Sequence, residues 1–162
     1  FDKDSVKAMN LVMELIDGIR SVRGEMNVPP SSEIEVLVQV PDENDQEILN
    51  EYLEEYLRAL TKVSNISIAE SQEKPDAAAV AVVGDTEAYI PLEGIIDIDK
   101  EKARLQKKVD QTEKSLANVE KLLNNKNFLQ KAPEKVVQQK RELKADLETE
   151  KGKLEANLKM LG

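Results

Sequence analysis

Apolar residues recur at three- and four-residue steps through the opening segment: Met9, Val12, Ile16, Ile19 and Met26. That spacing sets them on one face of a helix spanning about residues 3–28. Asp2, Asp4 and Ser5 stand where an N-cap is needed. Pro29-Pro30 closes the helix, because a residue before proline is pushed out of the α region. A single apolar face requires a partner. No later segment offers an obvious one, so the pattern points to helices preceding Phe1, and the chain reads as a piece of a longer protein.

From residue 31 the period changes to two. The stretch EIEVLVQV alternates strictly, with Ile34, Val36, Val38 and Val40 on one side of a strand. Pro41-Asp42 then opens a helix running to about Leu60, with Ile48, Leu49, Tyr52, Leu53, Tyr56, Leu57 and Leu60 on its apolar side. KVSNISIAE supplies a second strand. AAAVAVV and EAYIPL flank Gly84-Asp85, a hairpin signal. The resulting β-α-β-β-β order over residues 31–97 makes a small unit with a modest core.

Residues 98–162 return to helical spacing, now in heptads. Ile98, Leu105, Val109, Thr112, Leu116, Val119 and Leu123 form one apolar line; Val136, Leu143, Leu147, Leu154 and Leu161 form another. Between them lies NNKNFLQKAPEKV, where the asparagines end one helix and Pro133 with Glu134 suits the first turn of the next. Two helices of about 27 residues at ~1.5 Å each make an antiparallel hairpin roughly 40 Å long. In such a pairing Glu113 and Lys144 face each other. Phe128 and Leu129 fall in the connection, either as a plug for the apolar seam or as a tip that touches a partner. The fold class is therefore α+β: an amphipathic helix (1–30), a small α/β unit (31–97) and a helical hairpin (98–162).

Composition narrows the chemistry. Aromatic residues are only 3% of the 162, so long helices with narrow seams fit better than one large core. There is no Cys and no His, which removes disulfides, thiolate and imidazole metal sites, and histidine acid–base catalysis. The carboxylates are scattered, with no apolar pair for a two-carboxylate hydrolase, and there is no phosphate-binding glycine loop. No catalytic residue, metal site or cofactor site is expected. No apolar run approaches the ~20 residues of a membrane span, and no signal-peptide pattern opens the chain. A soluble, cytoplasmic chain without a membrane partner is the expectation.

Charge divides the chain unevenly. Residues 1–97 hold seven basic and 21 acidic side chains, whereas residues 98–162 hold 16 basic and 11 acidic. With Leu105, Thr112 and Val119 at d, the residues Lys100, Lys107, Lys114 and Lys121 all fall at f, the outermost line of the first helix. Lys108, Arg104, Lys126, Lys131, Lys135, Lys140, Arg141 and Lys144 add to this charge. Such a stripe fits a phosphate backbone; lysine is also the ordinary way to keep an f position solvated. With Phe128 the one aromatic near the basic residues, recognition of folded RNA by shape is favoured over stacking on single strands.

Three stretches carry a resemblance. IRSVRGEMNVPPS (19–31) resembles the last helix of the anticodon-binding bundle of class I aminoacyl-tRNA synthetases. YIPLEGIIDIDKEKARLQKKV (89–109) resembles the junction into a C-terminal coiled coil, and NNKNFLQKAPEKVVQQKRE (124–142) the hairpin connection and returning helix. Their order is similar to that of the bacterial valyl-tRNA synthetases. The resemblance implies an accessory tRNA-binding region whose coiled coil reaches the outer corner of tRNA-Val, where D and T loops meet, in concert with upstream domains of the same enzyme. It implies phosphate contact by Lys100, Arg104, Lys107, Lys108, Lys114, Lys140, Arg141 and Lys144; as a separate expectation, Phe128 packs on an exposed tertiary base pair at that corner. Arg20 and Arg23 belong to the first stretch, as tRNA-facing or structural residues. The family's HIGH and KMSKS signatures are absent here, so ATP would belong to the parent enzyme and to no residue of this piece. The alternative is a structural or protein-docking coiled-coil arm without RNA binding.

Overall fold

A computed structural model of the chain describes residues 3–162; Phe1 and the N-cap candidate Asp2 lie outside the described residues. Helix α1 (Lys3–Glu25) is followed by β1 (Ile34–Gln39), α2 (Glu43–Leu60), β2 (Val63–Ala69), β3 (Ala78–Val83) and β4 (Thr86–Pro91). Helices α3 (Ile98–Leu123), α4 (Lys126–Lys131) and α5 (Glu134–Met160) complete the chain. Two compact units result: residues up to Glu101 together with Met160–Gly162, and Lys102–Lys159.

In the first unit the strands form one mixed sheet in the order β2-β1-β4-β3. β1 and β2 pair in parallel, which a short turn cannot achieve; α2 is the crossover that reverses the chain. β4 runs antiparallel to both β1 and β3. The β3–β4 turn is two residues long, Gly84-Asp85, and Gly84 sits at φ 58°, which its missing Cβ permits. The alternation of β1 is realised fully: Ile34, Val36, Val38 and Val40 are all buried. The residues 93–97 ahead of α3 form a hydrogen-bonded turn, with the Ile95 and Ile96 amides donating to the Leu92 carbonyl. Asp97 then caps α3, its Oδ1 accepting from the Lys100 amide at 3.1 Å.

The α1 face finds its partner inside the chain, against expectation. Val12, Leu15, Ile16 and Ile19 are fully buried, and α1 packs on β3, on β4 and beside α2. Ala79 and Ala81, on one face of β3, are what α1 rests on, and such small residues give no pairing signal in the sequence. At Gly18 a Cβ would stand 3.2 Å from the Ala81 Cβ, so glycine sets the closeness of that approach. Met9, expected on the buried face, lies at the exposed edge. Asp4 and Ser5 are already helical.

The end of α1 is also not where proline would put it. The Asn27 amide donates to the Gly24 carbonyl and the Val28 amide to the Arg23 carbonyl, both at 3.1 Å. With Asn27 at φ 59°, this is a Schellman termination in which asparagine takes the left-handed position. The helix thus stops before Pro29 can act on it. Helix α2 begins one residue beyond Asp42, whose carboxylate accepts from the Asp45 amide at 2.9 Å. Its buried line is narrower than the apolar pattern: Leu49, Leu53 and Leu57 are covered, while Tyr52, Tyr56 and Leu60 remain exposed.

The second unit consists of two long helices with α4 between them. On α3, Leu105, Val109, Thr112 and Val119 are buried at heptad spacing. The Thr112 hydroxyl donates to the Lys108 carbonyl at 2.8 Å, which satisfies it within the seam. The inward line of α5 keeps the expected Leu147 and Leu154, and Leu161 beyond it is buried, but it differs elsewhere. It runs through Val137, Lys140, Lys144, Leu147, Lys151 and Leu154, all buried or half-buried, stepping by three and four. Leu143 is exposed, and Val137 replaces Val136 as the buried valine. Three lysines on the line concealed it: their aliphatic stems lie along the seam while the ammonium groups reach outward. The ion pair between the long helices is Lys151–Glu113, at 3.4 Å, rather than Lys144–Glu113. Lys144 pairs with Glu148 of its own helix at 3.8 Å. The pairing is centred about Ala132 and not about Phe128, because the connection contains the extra turn and a half of α4.

Glycines separate the two kinds of helix position. Gly152, in mid-α5, has open space where a Cβ would stand, and nothing in the structure explains its being glycine. Gly152→Ala is expected to raise stability by about 0.5–1 kcal/mol through lower unfolded-state entropy. Gly18→Ala is expected to lower it by about 1 kcal/mol, because Ala81 must give way. Urea unfolding of both variants checks the pair; equal gains would mean that α1 and β3 can separate freely.

Candidate nucleic-acid interface

Position along α3 follows from its buried line. With Leu105, Thr112 and Val119 turned inward, the f positions turn outward, and Lys100, Lys107, Lys114 and Lys121 are all exposed. None of the four makes an ion pair among the described residues. Seven residues at ~1.5 Å separate neighbouring lysines by roughly 10 Å along the axis. Flanking positions are small or neutral in part: Ala103, Gln111, Ala117 and Asn118 carry no charge to offset the line. Lys108 is exposed beside it. Arg104 is half-buried and already engaged, so it is less open to a ligand than the f-position lysines.

The connection is a helix where a plain turn was expected. Asn124 follows the end of α3, and Asn125 caps α4: its Oδ1 accepts from the Asn127 amide at 3.0 Å and the Phe128 amide at 3.3 Å. Asn125 has φ −84°, so its service is side-chain capping and not left-handed backbone. Pro133 lies just outside α5, its carbonyl accepting from the Val136 and Val137 amides. On α4, Lys126, Leu129 and Lys131 are exposed and Phe128 is half-buried. A cationic turn thus presents one exposed leucine and one partly covered phenyl ring.

Basic residues of α5 fall into two groups. Lys135 and Arg141 are exposed. Lys140 and Lys144 sit on the inward line, and Lys144 is partly neutralised by Glu148. Lys151 is shared between Glu113 and Glu155. The exposed, unpaired set is therefore Lys100, Lys107, Lys108, Lys114, Lys121, Lys126, Lys131, Lys135 and Arg141.

Arg20 and Arg23 differ sharply. Arg23 is 7% exposed. Its Nη1 donates to the Thr61 hydroxyl at 2.6 Å and the Lys62 carbonyl at 3.3 Å. Its Nη2 donates to the carbonyls of Pro29, Pro30 and Ser32 at 2.9, 3.3 and 2.5 Å. Burial lowers its pKa from the usual guanidinium value. Arg23 is thus a structural tie, while Arg20, one helical turn back, is exposed and makes no such bonds. Beside them stand Arg58 and Lys62, which the sequence pattern did not single out; 38 residues separate Arg20 from Arg58 in the chain, and the α2 crossover brings them together. No helix among the described residues is long and apolar enough to cross a membrane, and no cluster of three metal-ligating side chains occurs among them.

Comparison with known proteins agrees with this picture. Residues 97–162 match the family model described as the valyl tRNA synthetase tRNA binding arm. The whole chain is similar to several bacterial proteins, each named valine–tRNA ligase. That of Syntrophotalea carbinolica is 34% identical across 99% of this chain and 18% of its own length. That of Staphylococcus carnosus is 36% identical across 98% and 18%, and that of Petrotoga mobilis 39% identical across 96% and 18%. The chain therefore spans under a fifth of the relatives it matches.

The role of Arg23 is testable apart from any ligand. Arg23→Lys is expected to cost about 1–2 kcal/mol and Arg23→Ala about 2–3 kcal/mol, since a single ammonium cannot serve acceptors on two sides; the Pro30 and Ser32 carbonyls lose their donor, while the Ser32 and Ile34 amides still serve those of Pro29 and Lys62. Chemical unfolding measures both. A loss under about 1 kcal/mol in the alanine variant would show that water replaces the guanidinium without penalty.

Proposed function

We propose, from the match of residues 97–162 to the valyl tRNA synthetase tRNA binding arm and the similarity of the chain to bacterial valine–tRNA ligases, that it is an accessory tRNA-binding region of such an enzyme. The observation that carries the proposal is the line of exposed, unpaired lysines on α3, at Lys100, Lys107, Lys114 and Lys121. Helices α3 and α5 act as an antiparallel coiled-coil hairpin with α4 at its tip. Lysines at ~10 Å intervals meet phosphates of a folded RNA and release their counterions, a contact that carries no base sequence. Affinity then depends on the shape of the RNA, and the D- and T-loop corner of tRNA-Val is the surface that the tip reaches.

The tip adds a different interaction. The Phe128 ring, held on α4 by the Asn125 cap, packs on an exposed base pair of that corner, flanked by Lys126 and Lys131. Activation of valine with ATP belongs, in this reading, to the segments of the enzyme outside the span matched here. The chain supports aminoacylation by holding the tRNA through additional contacts, which multiply with those of the rest of the enzyme. A second reading rests on the exposed Leu129 and Leu143: an arm that docks on protein.

With about three to five phosphates contacted, log K for a tRNA-Val transcript is expected to fall against log salt with a slope of roughly −2 to −4. Lys107→Glu/Lys114→Glu/Lys121→Glu is expected to weaken binding at least about tenfold at low salt. A flat salt response, with affinity kept in the triple variant, would remove the electrostatic mechanism and favour protein docking. Phe128→Ala separately tests the tip: weaker tRNA binding with unchanged helix content is the expected result. A lower melting temperature with unchanged affinity would make Phe128 a plug of the seam.

A further inference from the structure

A second cationic surface lies in the first unit, where acidic residues greatly outnumber basic ones. A concavity of about 510 Å³ opens at the point where the C-terminal ends of α1 and α2 meet. Arg20, Arg23, Arg58 and Lys62 line it, and no carboxylate does. Before Ile98 the chain has only seven Lys and Arg residues against 21 Asp and Glu. Four of those seven in one acid-free hollow is not what even scattering of charge produces.

Part of this charge has a structural use. Two helix C-termini carry partial negative charge and unpaired carbonyls. Arg23 satisfies carbonyls of the chain leaving α1 and entering β2. Arg58 donates from Nη1 to the Val63 carbonyl at 2.7 Å and from Nε to Glu54 at 2.9 Å. Arg20 and Lys62 have no such use. Both are exposed, and neither side chain makes a hydrogen bond or ion pair among the described residues. Two like charges held at one rim without a counter-charge repel each other unless an anion enters between them.

We propose that this hollow binds a phosphate group of an RNA backbone, with Arg20 and Lys62 as the contacting cations over a floor fixed by Arg23 and Arg58. The inference rests on the reading that the chain contacts RNA, and it adds a site apart from the arm. The shared chemistry is a phosphate oxyanion, which a free phosphate ion also offers. An RNA backbone is favoured because the lining offers no aromatic ring or side-chain amide to hold a base or a small nucleotide.

The test uses the whole chain and a tRNA-Val transcript, with binding measured across a salt series for four proteins. These are the unaltered chain, Arg20→Glu/Lys62→Glu, the triple arm variant described above, and Arg20→Lys/Lys62→Arg. The glutamate double variant is expected to bind about five- to twentyfold more weakly at low salt and to lose about one to two units of salt slope. The charge-conserving variant is expected to bind as the unaltered chain does, and circular dichroism melting to be equal in all four. Weakening by the arm variant alone would overturn the inference and leave the arm proposal standing. Weakening by Arg20→Glu/Lys62→Glu alone would do the reverse, and no binding by the unaltered chain would overturn both. Inorganic phosphate, compared with chloride at equal ionic strength, separates the sources. Phosphate that binds the unaltered chain, and not Arg20→Glu/Lys62→Glu, without lowering the affinity for RNA would mean a free-phosphate site and would overturn the RNA assignment.

Discussion

The first unit depends on one guanidinium. Helix α1 ends, the chain turns through Pro29-Pro30 into β1, and α2 hands over to β2, all within reach of Arg23. Each of these segments leaves backbone carbonyls at this partly buried junction, where a carbonyl without a donor costs about 1–3 kcal/mol. Lysine could not substitute, since it is a point donor; the planar fork of arginine serves acceptors on two sides at once. The prolines add to the demand. They set the turn and remove amides; the Ser32 amide serves the Pro29 carbonyl at 3.0 Å, and the Pro30 carbonyl accepts from the guanidinium at 3.3 Å. The charge is buried without a carboxylate because five oxygen dipoles take the place of one.

In the second unit the limiting quantity is apolar area. With few large side chains, α3 and α5 bury a line that is only one residue wide, and α5 completes its share with lysine stems. That arrangement divides the basic residues into two classes by geometry alone. Lys144 and Lys151, on the inward line, spend their alkyl chains on packing and their ammonium groups on Glu113, Glu148 or Glu155. Those on the outer line of α3 have neither tie. Exposed pairs of this kind contribute little stability, so the ion pairs of α5 matter more for what they remove, namely free positive charge, than for what they hold together.

The legible parts of the chain are those where one local rule decides the outcome. Period-two alternation places β1, Gly84-Asp85 places the β3–β4 turn, and the heptads of α3 place its outward lysines. What escapes reading depends on distance or on disguise. The partner of α1 is a strand of alanines some 60 residues on, which no helical periodicity announces. Val137 and Lys144 displace Val136 and Leu143 because a seam counted by residue type overlooks the apolar stem of lysine. Asparagine's left-handed tolerance is used at Asn27, whereas Asn125, in the connection, caps. The hollow lined by Arg20 and Lys62 is illegible in principle, since only the parallel β1–α2–β2 crossover makes neighbours of them.

A net charge of −9 argues against a polyanion partner only if charge is averaged over the chain. Beyond the ~8 Å screening length of physiological salt, a carboxylate contributes little at a phosphate. On the proposed reading, lysines spaced by ~10 Å along α3 therefore act almost one by one, each on the phosphate nearest to it. What matters at each contact is whether a carboxylate stands within that radius and already holds the cation. Along the outer line of α3 no lysine is so held among the described residues, and in the hollow at the ends of α1 and α2 Glu54 holds Arg58 and leaves Arg20 and Lys62 open. The acidic remainder then has a role of its own. On the proposed reading, it repels nucleic acid from the acidic parts of the surface at short range, which leaves to RNA the places where cations are both exposed and unclaimed.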